Sequence, residues 1–120
     1  MKWGPNFSSN SSTVENAPIG IFFDGANIWV ANRDSGNVTK FDASTGATIG
    51  TYGVGSFPYG ICFDGEHIWV ANQASNSVTK LALTGSTIAT YPAGPSPYAI
   101  CFDGKNIWVT NQGGNAAIKL

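Results

Sequence analysis

The chain has 120 residues, which is enough for one ordinary domain. Its formal net charge is −1 and only 11% of its residues are charged, which argues against electrostatic binding to nucleic acid or to acidic membranes. Strand-forming and turn-forming residues dominate without sustained helical periodicity, so the sequence favours an all-β protein. No apolar run reaches the length of a membrane span and no signal peptide is visible, which leaves the compartment unknown.

Three copies of one sequence pattern follow one another along the chain. The segment Pro18 to Gly25 (PIGIFFDG) recurs as Pro58 to Gly65 (PYGICFDG) and as Pro97 to Gly104 (PYAICFDG). A second shared segment, IWVAN or IWVTN, follows each of them. A period near 40 residues is typical of repeat architectures. We therefore predict an N-terminal segment, residues 1–17, followed by repeats at 18–57, 58–96 and 97–120.

Each repeat predicts four antiparallel strands. In the first repeat, an apolar strand ends at the Asp24-Gly25 turn, whose two positions both tolerate positive φ and so favour a hairpin. The second strand is Ile28 to Ala31, the third begins at Val38, and Thr48 to Tyr52 forms the fourth. The first two strands are apolar at nearly every residue, so both of their faces must be covered, whereas the outer two are more polar. Radially stacked β-propeller blades provide such an environment.

These motifs resemble the YVTN/NHL class of propeller repeats and, within it, the virginiamycin B lyase-like propellers. The resemblance covers residues 17–120 and rests on the motifs PYGICFDG, IWVAN and SVTKL and on the Thr-Gly turn. It implies a propeller fold, which by itself says little about function. For a lyase of that type it implies a magnesium-dependent site of His and Glu residues, for which this chain offers only His67, Glu15 and Glu66.

The third repeat ends at Leu120, the equivalent of Phe41 and Leu81, and therefore lacks its fourth strand. The N-terminal segment has the right length to supply an outer strand, with Ser9 to Val14 in that role; the alternative is a disordered tail. Three blades cannot close a ring, and two chains would give six, inside the usual range of about 4–8. We expect a homodimer in which each N-terminal strand completes the partner's third blade.

The repeated aromatic residues are predicted to form the core of the blades, because they lie within apolar strands. They are Trp29, Trp69, Trp108, Phe23, Phe63 and Phe102. Ligand stacking by the tryptophans is the alternative. Cys62 and Cys101 are interpreted as small buried apolar residues, with a redox or metal role as the alternative. The aspartates of the Asp-Gly turns are explained by turn conformation alone, with a metal or catalytic role as the alternative.

The loops before the first strand and after the second are predicted to share one face around the central channel. Its candidate ligand-binding residues are Tyr59, Tyr98, Arg33, Gln73 and Gln112, and a glycan or a peptide would suit it; solvated loops without a ligand are the alternative. No acid–base pair or metal-ligand spacing emerges, so we predict a non-catalytic self-assembling scaffold or binding module that needs no cofactor. The alternatives are a virginiamycin B lyase-like enzyme, or a designed or excised fragment without activity of its own.

Overall fold

The computed structural model describes residues 12–120, which form an all-β structure of three antiparallel sheets. The three sheets are named blades 1, 2 and 3 in chain order. Blade 1 contains β1 (Pro18–Phe23), β2 (Asn27–Asn32), β3 (Asn37–Asp42) and β4 (Thr48–Gly53). Blade 2 contains β5 (Pro58–Phe63), β6 (Ile68–Asn72), β7 (Ser77–Leu81) and β8 (Thr87–Pro92). Blade 3 contains β9 (Pro97–Phe102), β10 (Ile107–Asn111) and β11 (Ala116–Lys119).

Neighbouring strands in each blade follow one another along the chain and are antiparallel. The four strands predicted for a repeat are confirmed in blades 1 and 2, and blade 3 has three. Each Asp-Gly hairpin has its glycine at positive φ, as in Gly25 at 101°. The predicted N-terminal strand, residues 9–14, lies partly outside the described residues, and residues 12–14 form no strand. No helix long and apolar enough to span a membrane occurs in residues 12–120.

Two apolar joints hold the blades together, and each joins two different kinds of face. The forward face of a blade points to the next blade in the chain, and the backward face points to the preceding one. The first joint packs the forward face of blade 1 (Trp29, Ala31, Val38) against the backward face of blade 2 (Ile61, Ile68, Val70, Leu81). The second joint packs Cys62, Trp69, Ala71, Val78 and Ala93 of blade 2 against Ile107 and Val109 of blade 3.

Glycine allows the innermost strands of adjacent blades to come very close. A Cβ atom on Gly20 would lie 2.2 Å from the carbonyl oxygen of Tyr59, and one on Gly60 would lie 2.6 Å from the carbonyl oxygen of Tyr98. Both distances are below the 3.0 Å that real Cβ atoms respect. The missing side chain of glycine therefore sets how tightly the inner edges of both joints close.

In residues 12–120, two blade faces have no neighbouring blade against them. On the backward face of blade 1, Ile21 is 66% exposed and Phe23 is 53% exposed. On the forward face of blade 3, Trp108 is 37% exposed and Cys101 is exposed. The expectation that Cys101 is buried is wrong for this structure, because in residues 12–120 no blade covers the forward face of blade 3; Cys62, its counterpart inside the second joint, is buried.

The residues expected to form the core differ in burial for the same reason. Trp29 is fully buried and Trp69 is 8% exposed within the two joints, whereas Phe63 and Phe102 are half-buried. Phe23 and Trp108 lie exposed on the two outer faces of the single chain. Among residues that are equivalent in the repeat, the position of the blade along the chain therefore decides burial: Trp108 is more exposed than Trp29 and Trp69, and Phe23 is more exposed than Phe63 and Phe102.

We predict that Trp69→Ala lowers the free energy of unfolding by about 3–5 kcal/mol, because it removes a large side chain from the second joint. The matched control is Trp108→Ala, which changes the equivalent residue on an outer face. In dilute, monomeric protein it should cost clearly less, because that side chain is already 37% exposed. Urea titrations of both variants measure the difference, and equal losses would contradict this account of the joints.

Candidate functional site

An aspartate organises the end of each first hairpin. In blade 1, Oδ1 of Asp24 accepts hydrogen bonds from the backbone N–H groups of Ala26 (2.9 Å) and Asn27 (2.6 Å). The other oxygen, Oδ2, accepts the indole N–H of Trp29 at 2.8 Å. In the same way, Oδ2 of Asp64 accepts the indole N–H of Trp69 and Oδ2 of Asp103 accepts that of Trp108, each at 2.8 Å. Turn conformation alone does not explain these aspartates, because each also satisfies an indole donor.

Hydrogen bonding to the carboxylate lowers the pKa of all three aspartates. For Asp24 and Asp64, partial burial alone would raise the pKa, but the hydrogen bonds from the indole and from the turn amides outweigh it. For Asp103 the backbone N–H of Asn106 contributes most to the lowered pKa, followed by the indole of Trp108. A lysine also lies over the indole ring in the first two blades, with Nζ 5.1 Å from the ring centroid.

A buried asparagine ends the second strand of every blade. The side-chain amide of Asn72 donates to Oγ1 of Thr79 at 2.8 Å, and its Oδ1 accepts the backbone N–H of Gly55 at 3.2 Å. Asn72 therefore ties β6 both to β7 and to the segment that enters blade 2 from blade 1. The counterparts of Asn72, Asn32 and Asn111, are also buried. We conclude that these repeated polar residues have a structural role.

The structure brings three of the predicted loop-face residues together. Nη1 of Arg33 donates to the hydroxyl of Tyr59 at 3.3 Å, and the rings of Tyr59 and Tyr98 lie 4.4 Å apart between centroids. The guanidinium also lies 5.8 Å from the ring centroid of Phe57. The hydrogen bond to Asp34, followed by that to Tyr59, raises the pKa of Arg33, so the group stays charged. This set is named the aromatic cluster: Arg33, Phe57, Tyr59 and Tyr98.

The two predicted glutamines, Gln73 and Gln112, do not belong to the aromatic cluster. The backbone N–H groups of Gln73 and Gln112 donate to the carbonyl oxygens of Phe57 (2.8 Å) and Ser96 (2.9 Å). The side chain of Gln112 lines an open groove of about 520 Å³ on blade 3 together with Tyr98 and Asn115. Sequence analysis did not single out Phe57, because it has no aromatic counterpart in the other repeats.

The residues considered for a lyase-type site do not form one together. Nδ1 of His67 lies 3.9 Å from a carboxylate oxygen of Asp64 and 3.9 Å from one of Glu66, at the turn between β5 and β6. Glu15 is exposed and lies in the N-terminal segment. Within residues 12–120, no three His, Cys, Asp or Glu side chains lie together in a way that could hold a metal ion.

Solved structures with the same arrangement of sheets are β-propellers. The chain superimposes on virginiamycin B lyase from Staphylococcus aureus with a TM-score of 0.75 at 18% identity, over 88% of this chain and 38% of that one. A streptogramin B lyase gives a TM-score of 0.73 at 24% identity, over 86% and 37%. Hydrazine synthase from Kuenenia stuttgartiensis gives 0.71 at 23% identity, over 98% and 38%. This protein therefore has a β-propeller fold.

The likeness to these structures is one of fold alone, because each of these identities is below 25%. A computationally designed protein, Ika8, matches with a TM-score of 0.71 at 14% identity, over 85% of this chain and 32% of that one. The chain spans less than half the length of each of these four structures. No family model matches the sequence, and no curated protein matches it either.

We predict that the protein loses stability in acid through its hairpin aspartates. Their pKa is lower in the folded than in the unfolded chain, where it is about 3.9. As the pH falls below about 4, the unfolded chain therefore binds protons first and the free energy of unfolding decreases. Urea titrations at pH 7 and pH 3 should show this decrease, and Asp64→Asn should make it smaller.

Trp69→Phe is the matched control for Asp64→Asn. It removes the indole N–H donor to Asp64 but leaves the carboxylate and the two turn amides that bind it. It should therefore reduce the pH dependence less than Asp64→Asn does. An unchanged difference between pH 7 and pH 3 in Asp64→Asn would show that Asp64 does not contribute.

Proposed function

We propose that the chain is a self-assembling β-propeller module, two copies of which close into a six-bladed ring, and that it has no catalytic activity of its own. The observation that carries the proposal is the course of the N-terminal segment. Residues 12–17 enter blade 1 as the connectors between blades enter blades 2 and 3.

The hydrogen bonds of Asn16 and Ala17 repeat those of the internal connectors, although Oδ1 of Asn32 lacks the backbone partner that Asn72 has in Gly55. The backbone N–H of Asn16 donates to Oγ of Ser35 at 2.9 Å, as that of Ser56 donates to Oγ of Ser75 at 2.6 Å. The carbonyl oxygen of Ala17 accepts a bond from the N–H of Arg33 at 2.9 Å, the equivalent of the bond that Phe57 accepts in blade 2. Ala17, Phe57 and Ser96 share positive φ values of 54°, 55° and 52°.

Ser12, nearer the N-terminus, also occupies a position between blades. Tyr52, in the outer strand of blade 1, lies against Gly85 in the outer turn of blade 2. Ser12, forty residues earlier, donates from its hydroxyl to the carbonyl oxygen of Gly46 at 2.8 Å, in the equivalent turn of blade 1. Ser12 thus lies where the outer strand of a preceding blade would contact blade 1.

Blade 3 offers the edge that such a strand needs. In the described residues β11 pairs only with β10, so its second edge is unpaired. Val38 pairs with Tyr52 in blade 1 and Val78 with Tyr91 in blade 2. By the same register, Ala117 would pair with Ser12 of a second copy. This pairing would complete the fourth strand of blade 3 and satisfy the free backbone groups of its edge.

The two outer faces are complementary, because each carries the residues that form one side of an internal joint. The backward face of blade 1 carries Ile21 and Phe23 where blade 2 carries Ile61 and Phe63 in the first joint. The forward face of blade 3 carries Trp108 where blade 2 carries Trp69 in the second joint. Joining the outer faces of two chains would bury both, and a two-fold ring makes the two new joints identical.

We predict that light scattering gives about twice the chain mass of 12.6 kDa at micromolar concentration. Labelling with a thiol reagent provides a second measurement. Burial raises the pKa of Cys62 to about 12, so Cys101 should be the thiol that reacts. Assembly would cover Cys101, and its labelling should slow as the protein concentration rises through the dissociation constant of the dimer.

Cys101→Ser is the control that assigns the labelled thiol, because it leaves only Cys62. A mass equal to that of one chain at every concentration, with labelling of Cys101 independent of concentration, would refute the ring.

The aromatic cluster supports a second, compatible role as a binding surface for a glycan or a peptide. Tyr98, 39% exposed, lies against Tyr59, and Phe57, 43% exposed, lies beside the guanidinium of Arg33. Aromatic faces stack on sugar rings and on peptide side chains, and the guanidinium and hydroxyl groups can hydrogen-bond to them. The cluster lies on the loop side of the blades, away from His67 and Glu66.

We predict that a glycan and peptide screen finds weak binding that is lost in Tyr98→Ala, because this substitution removes the exposed ring. Calorimetry or ligand-observed NMR would measure it. Tyr91→Ala is the matched control, since Tyr91 stacks on Trp69 in the joint and not in the cluster. Lyase turnover that depends on magnesium and is lost in His67→Ala would overturn the non-catalytic assignment.

A further inference from the structure

The forward faces of the three blades occupy equivalent positions, but the third differs from the others at its inner edge. Blades 1 and 2 have glycine there, at positions 20 and 60, and blade 3 has Ala99. Blades 1 and 2 also have alanine at positions 31 and 71, both fully buried, where blade 3 has Thr110. Both changes enlarge a side chain on the face that would meet a second copy.

The first change occurs where the internal joints leave no room for a side chain. The added Cβ at position 20 or 60 would lie only 2.2 or 2.6 Å from the carbonyl oxygen of the next blade. In a joint of the same geometry, the Cβ of Ala99 would meet the carbonyl oxygen of Ile19 in the second copy at such a distance. The two inner strands must therefore stand farther apart, by several tenths of an ångström, to reach the 3.0 Å limit.

The second change reinforces the first. Oγ1 of Thr110 accepts the backbone N–H of Ala99 at 2.9 Å and lies 3.4 Å from the carbonyl oxygen of Ala99. The hydroxyl is thereby held against the inner strand of its own blade, and it can be buried without losing its partner. Both residues line an apolar groove of about 120 Å³ on the forward face, with Trp108, Cys101 and Ala117.

We infer that Ala99 and Thr110 hold the inner edge of the joint between two chains farther apart than the inner edges of the two joints within a chain. This inference rests on the proposed ring. The occupant is the backward face of blade 1 of a second copy, because its counterparts on blades 2 and 3 fill the internal joints. A wider inner edge means looser packing, so the ring opens between chains before the blades of one chain separate.

The test restores the sequence of the internal joints on the outer face. Ala99→Gly, and the double variant Ala99→Gly with Thr110→Ala, should tighten the dimer, lowering its dissociation constant about tenfold, because removing the overpacked atoms lets the strands close. Sedimentation equilibrium on the full chain measures the constant. The double variant restores both residues of the internal joints at once.

Gly60→Ala is the matched control within the chain. It places the same methyl group in the second joint, 2.6 Å from the carbonyl oxygen of Tyr98, and should lower the midpoint of thermal unfolding. The Ala99→Gly variant should leave the thermal midpoint of the dilute monomer nearly unchanged.

The outcomes separate the inference from the proposed ring. A dissociation constant that is unchanged or higher in both variants, with dimers still forming, would overturn the inference alone. Monomers at every concentration, for the parent and the variants alike, would overturn the ring and the inference with it. A tighter dimer in both variants, together with a destabilised Gly60→Ala, is the expected result.

Discussion

Every blade of this protein has two apolar faces, and the need to cover both is the constraint on which the rest of the structure depends. Removing apolar surface from water stabilises a fold by roughly 25 cal/mol per Å². The middle blade meets the need within the chain, since Ile68 and Val70 pack backward while Trp69 and Ala71 pack forward. The terminal blades each have only one face covered within the described residues, so the two outer faces expose apolar side chains such as Ile21 and Trp108.

Polar groups that are buried together with these faces cost least where they have hydrogen-bond partners, although in the described residues Oδ1 of Asn32 and Oδ1 of Asn111 have none. The indole N–H of each repeated tryptophan reaches the aspartate of its own hairpin, so the ring can be buried without an unsatisfied donor. Asn72 likewise accepts the backbone N–H of Gly55 in the connector from blade 1 to blade 2. The aspartates and tryptophans that recur in all three blades thus have a role in folding. Residues that differ between blades, such as Arg33 and Ala99, are where distinct functions can arise.

The strand pattern and the period of the sequence were sufficient to predict the three sheets and their hairpins, because these depend on neighbours close in the chain. The Asp-Gly turns and the apolar inner strands of each repeat follow from local signals. Of the candidate site, the sequence suggested Arg33, Tyr59 and Tyr98. It did not suggest Phe57, which joins them only because the connector carries it beside Arg33.

The sequence by itself determined the secondary structure, the repeat and the apolar character of each blade face. Only the tertiary structure decided how close adjacent blades come, which is what gives Gly20 and Gly60 their role and makes Ala99 an exception. It also decided that Cys62 is buried and Cys101 is exposed, although both occupy the same place in the repeat. The physical reason is that burial and close approach depend on which blade lies alongside, and a repeated local pattern carries no record of its neighbours in space.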